Sequence, residues 1–305
     1  MIGRITTLMT TAQVLSNINS LQDQLDTTQE QLSTGKTINQ PSDNPYGASL
    51  AVSLNQNLAS LGNYANNVTD GNAWASAASS ALQSIQSMVQ RVQELVVSAS
   101  NGAMSPADLK ATAAEVSQLT SAIKQAADTQ YNGQYIFSGT ATSTAPYSSA
   151  TGDVFQGNTG AITRQIAPGT GLQVNVDISS LLGSGQSAND GLLLDTLRTI
   201  TADMNGGSAA NVADLSGAQM TNLQNSLSAL GQLQATVGAT QNRLTLASSQ
   251  IQSLQNADTA TLSNVQDANI AATYTTFTNQ QAAFQAALKA GASIVQSSLM
   301  SFLTG

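Results

Sequence analysis

Two stretches decide the fold: ITTLMTTAQVLSNINSLQDQLDTTQEQLS at residues 5–33 and FTNQQAAFQAALKAGASIVQSSLMSF at residues 277–302. Apolar residues recur in both every three or four positions, so each is predicted to be a helix with one apolar stripe. Each stripe needs another helix to cover it. We expect the stripes to form an assembly interface, made by Ile5, Leu8, Leu15, Leu25, Leu32, Phe277, Phe284, Leu288, Val295, Leu299 and Phe302.

The composition favours a structural protein over an enzyme. The 305 residues include no His and no Cys, so the commonest general base, the thiolate nucleophile and the usual transition-metal ligands are absent. Aromatic residues make up only 4% of the chain, which favours slender helical layers over a thick globular core. No group of Asp, Glu and aromatic residues resembles a catalytic pocket. We therefore expect no catalytic site, no cofactor and no metal.

The charge pattern bears on partners and location. A formal net charge of -8 argues against binding to nucleic acid or to an anionic membrane surface. The most apolar segment, residues 282–303, is interrupted by Gln285, Lys289 and Gln296, so no membrane insertion is expected. The N-terminal residues lack the pattern of a cleaved secretory signal. A cysteine-free chain rich in Ser, Thr, Asn and Gln suits an extracellular fibre as well as the cytoplasm.

A short segment after the first helix carries a helix-start motif, Asp43-Asn44-Pro45. Gly35 stands where a left-handed cap would end the first helix. Asn44 is a predicted N-cap, and Pro45 would occupy the first helical position, where its missing N–H costs nothing. The second helix should then run to about Val97, because its apolar residues keep helical spacing.

The rest of the first half predicts a helical hairpin. Asn101-Gly102 marks a turn, and the run that begins at Ser105 indicates a third helix, which should end near Asp128. A short connection between two such helices favours an antiparallel arrangement.

The pattern changes between residues 131 and 182, where a small β-rich outer insert is predicted. Segments rich in β-formers lie at residues 135–137, 154–156, 162–166 and 172–178, and Gly, Asn and Ser separate them. We expect this insert to be peripheral to the helices, so that residues 141–180 could be removed without loss of assembly.

Helical periodicity returns after the insert. Residues 192–204 predict a short helix, and a long apolar pattern runs from Leu215 into the C-terminal stripe, with a break expected near residues 258–264. The sequence therefore predicts a mainly α protein, a long helical bundle or coiled coil with a small β insert. Three domains are predicted. They are a terminal helical assembly domain (residues 1–43 plus 266–305), a helical bundle domain (44–130 plus 183–265) and the β-rich outer insert (131–182).

Several motifs in order resemble bacterial flagellins and their junction relatives. LSTGKTI at 32–38 with PSDNP at 41–45, and QRVQEL at 90–95 with Asn101-Gly102, resemble the N-terminal signatures. LSNVQDANIA at 262–271 and SLMSFL at 298–303 resemble the C-terminal ones. Within this family, Asp43-Asn44-Pro45 and YIFSGT at 135–140 are most similar to the branch that joins hook to filament.

The resemblance implies a non-enzymatic adaptor at the hook-filament junction, located outside the cell on the bacterial flagellum. It implies export without a cleaved signal peptide, and a flagellar export chaperone on the C-terminal helix. The implied partners are further copies of the chain in a ring or helical assembly, a neighbouring hook-associated protein, and a filament-side flagellin or junction protein. The alternative is a short filament flagellin, which would polymerise alone and would usually have Ala in the last place of the 43–45 motif.

Overall fold

The computed structural model describes residues 2–148, 154–185 and 188–303, without the side chains of residues 2–8, 209–210 and 294–303. Long helices dominate it, which confirms the predicted fold class. The helices are α1 (Ile2–Thr34), α2 (Pro45–Ser100), α3 (Pro106–Ala127), α4 (Ser179–Leu182), α5 (Leu193–Gly206), α6 (Ala209–Asp214), α7 (Met220–Gln266) and α8 (Ile270–Leu303). The strands are β1 (Gln130–Tyr131), β2 (Gln134–Tyr135), β3 (Thr163–Ala167) and β4 (Thr170–Gln173).

The chain forms two compact units. One comprises Met1–Ser60 with Leu254–Gly305, and the other comprises Leu61–Ser253. The predicted division into three domains stays a prediction. In the first unit, α1 and α8 pack against each other along their lengths. Thr28 of α1 bonds to Gln280 of α8, and Gly291 lies beside Val14 and Ile18, so the two helices run antiparallel.

The second unit holds the main hydrophobic core. Its largest fully buried side chains come from α2, α3, α5 and the insert, and include Trp74, Leu82, Ile85, Ile123, Phe137, Ile178 and Leu197. Ser105 begins α3 with a capping box, in which its side chain and that of Asp108 each bond to the other residue's backbone N–H. Arg91 of α2 forms an ion pair with Glu115 of α3 at 2.9 Å. This pair and the short connection fit the predicted antiparallel hairpin.

The β insert is built from two antiparallel hairpins. Asn132 and Gly133 form the turn between β1 and β2, and both have the positive φ angles that such a tight turn needs. The predicted strand at 172–178 ends at Gln173. The N–H of Val174 still donates to the carbonyl of Ile162, but the N–H of Ile162 donates to the side-chain Oδ1 of Asn175 and not to a backbone carbonyl, so the backbone ladder stops.

The second hairpin, β3 and β4, docks on the long helices of its unit. Ile166 and Leu172 are buried in a cluster with Leu61, Val68, Leu244 and Ile251. Arg164 also forms an ion pair with Asp70 of α2 at 2.7 Å, and Asn67 donates to the carbonyl of Gln165.

Other insert side chains join the main core, namely Ile136, Phe137, Tyr147, Val174, Val176, Ile178, Leu181 and Leu182. The expectation that residues 141–180 are peripheral to the helices is therefore wrong, because their apolar side chains are buried against helical ones. The predicted segment at 135–137 is a strand only at Tyr135, and Val154 and Phe155 make only isolated bridges.

Two features of the second half differ from expectation. The break predicted near residues 258–264 lies instead at 267–269, between α7 and α8. Neither Gly nor Pro marks it; the local signal that could have placed it is Asn269, whose Oδ1 accepts from the backbone N–H of Ala272 in the first turn of α8. A π-helical segment at Leu215–Gln219 joins α6 to α7 and was not predicted. None of the helices in the described ranges has the length and hydropathy needed to cross a membrane.

Candidate assembly interface

The α1/α8 pair covers its apolar stripes only in part. Leu25, Leu32, Phe277 and Phe284 are half-buried. By contrast, Leu15 keeps 61% of its surface exposed and Leu288 keeps 45%. The side chains of Ile5, Leu8, Val295, Leu299 and Phe302 lie outside the described residues. The assignment of these stripes to an assembly interface therefore stays a prediction, which the exposed leucines favour.

Two contacts hold the pair in register, and sequence reasoning found neither. Thr28 is 6% exposed, and its hydroxyl donates to Oε1 of Gln280 at 2.7 Å. Gly291 is buried, and a Cβ there would lie 3.3 Å from Cγ1 of Val14 and 3.4 Å from Cδ1 of Ile18. Glycine therefore allows α8 to approach α1 closely at this level. Thr28 occupies a helical position that an apolar residue would normally fill, and that irregularity was the available signal.

A cavity of about 190 Å³ opens on the pair beside Gly291. Its lining is almost entirely apolar, and it is made by Thr11, Val14, Leu15, Ile18, Leu288, Gly291 and Ala292. Further large apolar side chains of the two helices are also exposed: Met9 by 69%, Tyr274 by 60% and Ile270 by 50%. Exposed apolar groups in this number are typical of a surface that another chain covers.

The helix-start motif forms a compact turn ahead of α2. One carboxylate oxygen of Asp43 accepts from the backbone N–H groups of Asn39 and Gln40, both at 2.9 Å. The bonds from Gln40 and Asn39 lower the pKa of Asp43, because they favour its charged form. Oδ1 of Asn44 accepts from the N–H of Gly47, which caps α2, and Pro45 is the first residue of that helix.

Gly47 is required by the packing of this turn. A Cβ at Gly47 would lie 2.5 Å from Cδ1 of Ile38 and 2.8 Å from Nδ2 of Asn44, so any larger residue would displace both of these side chains. Ile38 is itself buried. The turn is thus packed around Ile38 as well as capped by Asn44.

In the first unit, the segment that follows α1 is hydrogen-bonded to the segment that joins α7 to α8. The N–H of Thr37 donates to the carbonyl of Gln266 at 2.7 Å, and the N–H of Ala268 donates to the carbonyl of Gly35 at 2.9 Å. Lys36 and Asp267 form an isolated antiparallel bridge between these bonds. The break after α7 is therefore paired with residues about 230 positions away along the chain. Gly35 has a φ of +70°, as expected for a left-handed cap.

The chemistry of this region is that of packing. In the described part of the chain, no group of three or more His, Cys, Asp or Glu residues is arranged to hold a metal ion. The arrangement offers apolar side chains, a cavity and capped helix ends to a partner, and these are the elements of a protein-protein interface.

Comparison with known proteins shows which family these features belong to. A family profile described as the bacterial flagellin N-terminal helical region matches residues 5–142. Flagellar hook-associated protein 3 of Salmonella typhimurium is 30% identical over 302 residues, which cover 94% of this chain and 95% of that protein. A phase 1 flagellin of Salmonella naestved is 35% identical over 124 residues, which cover 40% of this chain and 25% of the flagellin.

A solved structure shares the fold. The crystal structure of the flagellar junction protein FlgL from Legionella pneumophila matches with a TM-score of 0.59 at 14% identity, over 72% of this chain and 100% of that one. The flagellin match covers less than half of this chain, whereas the match to hook-associated protein 3 covers nearly all of both proteins. The chain therefore belongs to the flagellar hook-associated protein 3 family of flagellin-like proteins.

Proposed function

We propose that this protein is a structural adaptor of the bacterial flagellum that joins the hook to the filament. The observation that carries the proposal is its similarity to hook-associated protein 3 over 94% of its length. The exposed apolar groups of α1 and α8 support it, because a terminal helix pair with uncovered leucines needs neighbouring subunits.

The proposed interface consists of the terminal stripes together with the turn at Asp43-Asn44-Pro45. The capped turn sets where α2 begins, and the bonds between residues 35–37 and 266–268 hold both helix breaks together. A subunit built in this way offers its stripes to further copies of itself, to a neighbouring hook-associated protein, and to a filament-side flagellin or junction protein.

Delivery to the flagellum forms part of the same proposal. We propose export through the flagellar type III channel without a cleaved signal, which ends in an extracellular location. An export chaperone would hold α8 until assembly. The sequence of α8 supports this step, because it contains a single charged residue, Lys289, and its Tyr274 and Leu288 side chains are exposed. Such a helix favours a protein partner over water.

We propose no catalytic activity. The chain contains neither His nor Cys. The one carboxylate of the proposed interface, Asp43, accepts hydrogen bonds from the backbone N–H groups of Asn39 and Gln40, and the terminal stripes are apolar and supply neither a nucleophile nor a general base. The proposed role depends on packing alone.

Localisation on intact cells tests the proposal. Gold-labelled antibody against this protein should mark a narrow band at the distal end of the hook, and purified protein added to hook fragments should form a short collar and stop. An adaptor meets different proteins above and below, so its own surfaces need not match each other. Long fibres grown from this protein alone would contradict the junction role and favour the filament flagellin alternative.

A further inference from the structure

A cavity of about 340 Å³ lies in the second unit, between α7 and the chain that leads from β4 to α4. Its apolar lining includes Leu172, Val176 and Leu233, and its polar lining includes the guanidinium of Arg243 and the carboxylate of Asp177. Cavities of about 300–1,000 Å³ with an apolar lining and a few polar groups are typical of small-molecule sites. We call this space the α7 cavity.

The two charges of the α7 cavity lie at different levels along α7. Leu172 is buried in the smaller cluster with Leu244, whereas Val176 is buried in the main core with Val237. The chain from 172 to 176 therefore runs along α7 from the level of Leu244 toward that of Val237, and these levels are about 10 Å apart at 1.5 Å per helical residue. The arginine immediately precedes Leu244, and the carboxylate belongs to the residue after Val176. The cavity thus has a cationic end and an anionic end.

Neither charge is neutralised by a residue that the structure describes. Arg243 is exposed and makes no ion pair or hydrogen bond within the described ranges. Oδ1 of Asp177 accepts from the N–H and the hydroxyl of Ser179 at 2.9 and 2.6 Å, and Oδ2 accepts no hydrogen bond from a described residue. Because both groups line one cavity without pairing with each other, a ligand with an anionic end and a cationic end complements them.

β4 is an edge strand that borders the same cavity. It belongs to a two-stranded sheet and pairs only with β3. The N–H of Val174 donates to the carbonyl of Ile162, so the alternation of an antiparallel ladder directs the backbone groups of Gly171 and Gln173 away from β3. Both of these residues line the cavity. An extended peptide can therefore bond to this edge as an added strand.

The walls of the cavity are held in place by the fold. Asn175 is 6% exposed, and its side chain accepts from the N–H of Ile162 and donates to the carbonyl of Gly160, both at 2.8 Å. These bonds fix the chain just ahead of Asp177. On the opposite wall Thr240 is half-buried, and its hydroxyl has no partner among the described residues, so it is available to a ligand.

We infer that the α7 cavity binds a short peptide of two or three residues with free ends, its α-carboxylate on Arg243 and its α-ammonium on Asp177. An extended chain spans about 3.3–3.6 Å per residue, so two or three residues cover about 7–11 Å and match the separation of the two ends. The peptide then runs antiparallel to β4, and the apolar lining favours an apolar side chain within it. A free amino acid carries both charges on one carbon and is too short. This inference goes beyond the proposed adaptor role and does not depend on it.

Titration of the intact chain with the tripeptide glycyl-leucyl-glycine tests the inference. The methyl NMR signals of Leu172, Val176 and Leu233 should shift and saturate, whereas the methyl signals of Leu82, which is buried elsewhere in the main core, should not. Free leucine, the N-acetylated tripeptide and the C-terminal amide of the tripeptide should each bind at least about tenfold more weakly, because each lacks or misplaces one of the two charges.

Two substitutions assign the ends of the ligand. Arg243→Gln should weaken binding of the tripeptide at least about tenfold and remove the difference between the free acid and its amide. Asp177→Asn keeps an oxygen for the bonds from Ser179, and it should remove the difference between the free and the acetylated amine.

The matched control is Arg91→Gln, an exposed arginine that pairs with Glu115 outside the cavity, and it should bind the tripeptide normally. Absence of saturable shifts, or equal binding of the free tripeptide and its doubly blocked form, overturns this inference. Either result leaves the adaptor role standing, because that role is tested by localisation on the flagellum.

Discussion

Thr28 and Gln280 lie 252 positions apart in the chain, yet their side chains are joined by a 2.7 Å hydrogen bond between α1 and α8. The bond is partly buried, and Thr28→Val takes away the hydroxyl that donates to Oε1 of Gln280. We predict that Thr28→Val weakens the α1/α8 pair by about 1 kcal/mol, and that Thr28→Val with Gln280→Leu recovers most of it. Hydrogen exchange of the α1 amides measures this. Equal loss of α1 amide protection in the single and double variants would contradict this prediction.

Gly291 gives a second test of the same pair. A Cβ at this position would already lie within 3.4 Å of Val14 and Ile18, so the branched methyl groups of Gly291→Val would overlap them. We expect the pair to loosen by about 1–3 kcal/mol, seen as faster amide exchange in α8. The control is Gly231→Ala in α7, where nothing lies within 4 Å, and it should stabilise the protein by about 0.5–1 kcal/mol. Unchanged exchange in Gly291→Val would show that α8 does not pack against α1.

Asp43 should make the turn before α2 sensitive to acid. Its pKa is lowered by hydrogen bonds from the N–H groups of Gln40 and Asn39. The contribution of the Asp43 carboxylate to the stability of the turn is therefore complete at pH values above its ordinary pKa of 3.8, and it is lost as the pH falls through the lowered pKa. Amide exchange at Asn39 and Gln40, compared between pH 6 and pH values below about 3.8, should show this loss. Asp43→Asn should weaken the protection at pH 6 and remove most of its pH dependence. A variant that retained the natural profile would exclude Asp43 as the cause.

Asp203 of α5 should destabilise the second unit at neutral pH. One of its carboxylate oxygens is buried without a hydrogen-bond partner among the described residues, and burial, with the charge of Asp214, raises its pKa. The folded state therefore holds the proton more tightly, and stability falls as the pH rises through the raised pKa. Asp203→Asn should raise the melting temperature at pH 7, with a smaller gain at acid pH. A lower melting temperature at pH 7 would contradict this account.

Removal of the β insert should prevent folding of the second unit. Excision of residues 141–180 takes away buried side chains of both cores, including Ile166, Leu172, Val174 and Ile178. Truncation of even one such residue, as in Leu172→Ala, should cost about 2–5 kcal/mol, whereas Val154→Ala at an exposed position should cost little. Fluorescence of Trp74, the only tryptophan, follows the melting transition. Cooperative melting of the excised protein at the natural temperature would contradict the shared core.

Much of the helical architecture was predictable because its signals are local. The apolar spacing of residues 5–33 predicts α1, and the turn residues at 101–102 and the cap at Ser105 place the start of α3. A cap or a periodic stripe acts within a few residues, so the sequence contains the whole signal. The absence of His and Cys likewise follows from the sequence alone.

The tertiary structure decided what depends on residues far apart in the chain. The break at 267–269 is paired with residues 35–37, and β4 ends at Gln173 because the side chain of Asn175 accepts the bond from the N–H of Ile162. The apolar periodicity of a helix shows that one of its faces must be buried, but it does not show which segment of the chain buries that face. The sequence thus determined the helices and the uncovered stripes, whereas packing decided that Thr28 faces Gln280. The physical reason is that the hydrophobic effect is non-directional and does not by itself select a register between distant segments. That register is selected by a few hydrogen bonds and close contacts, which only the folded chain brings together.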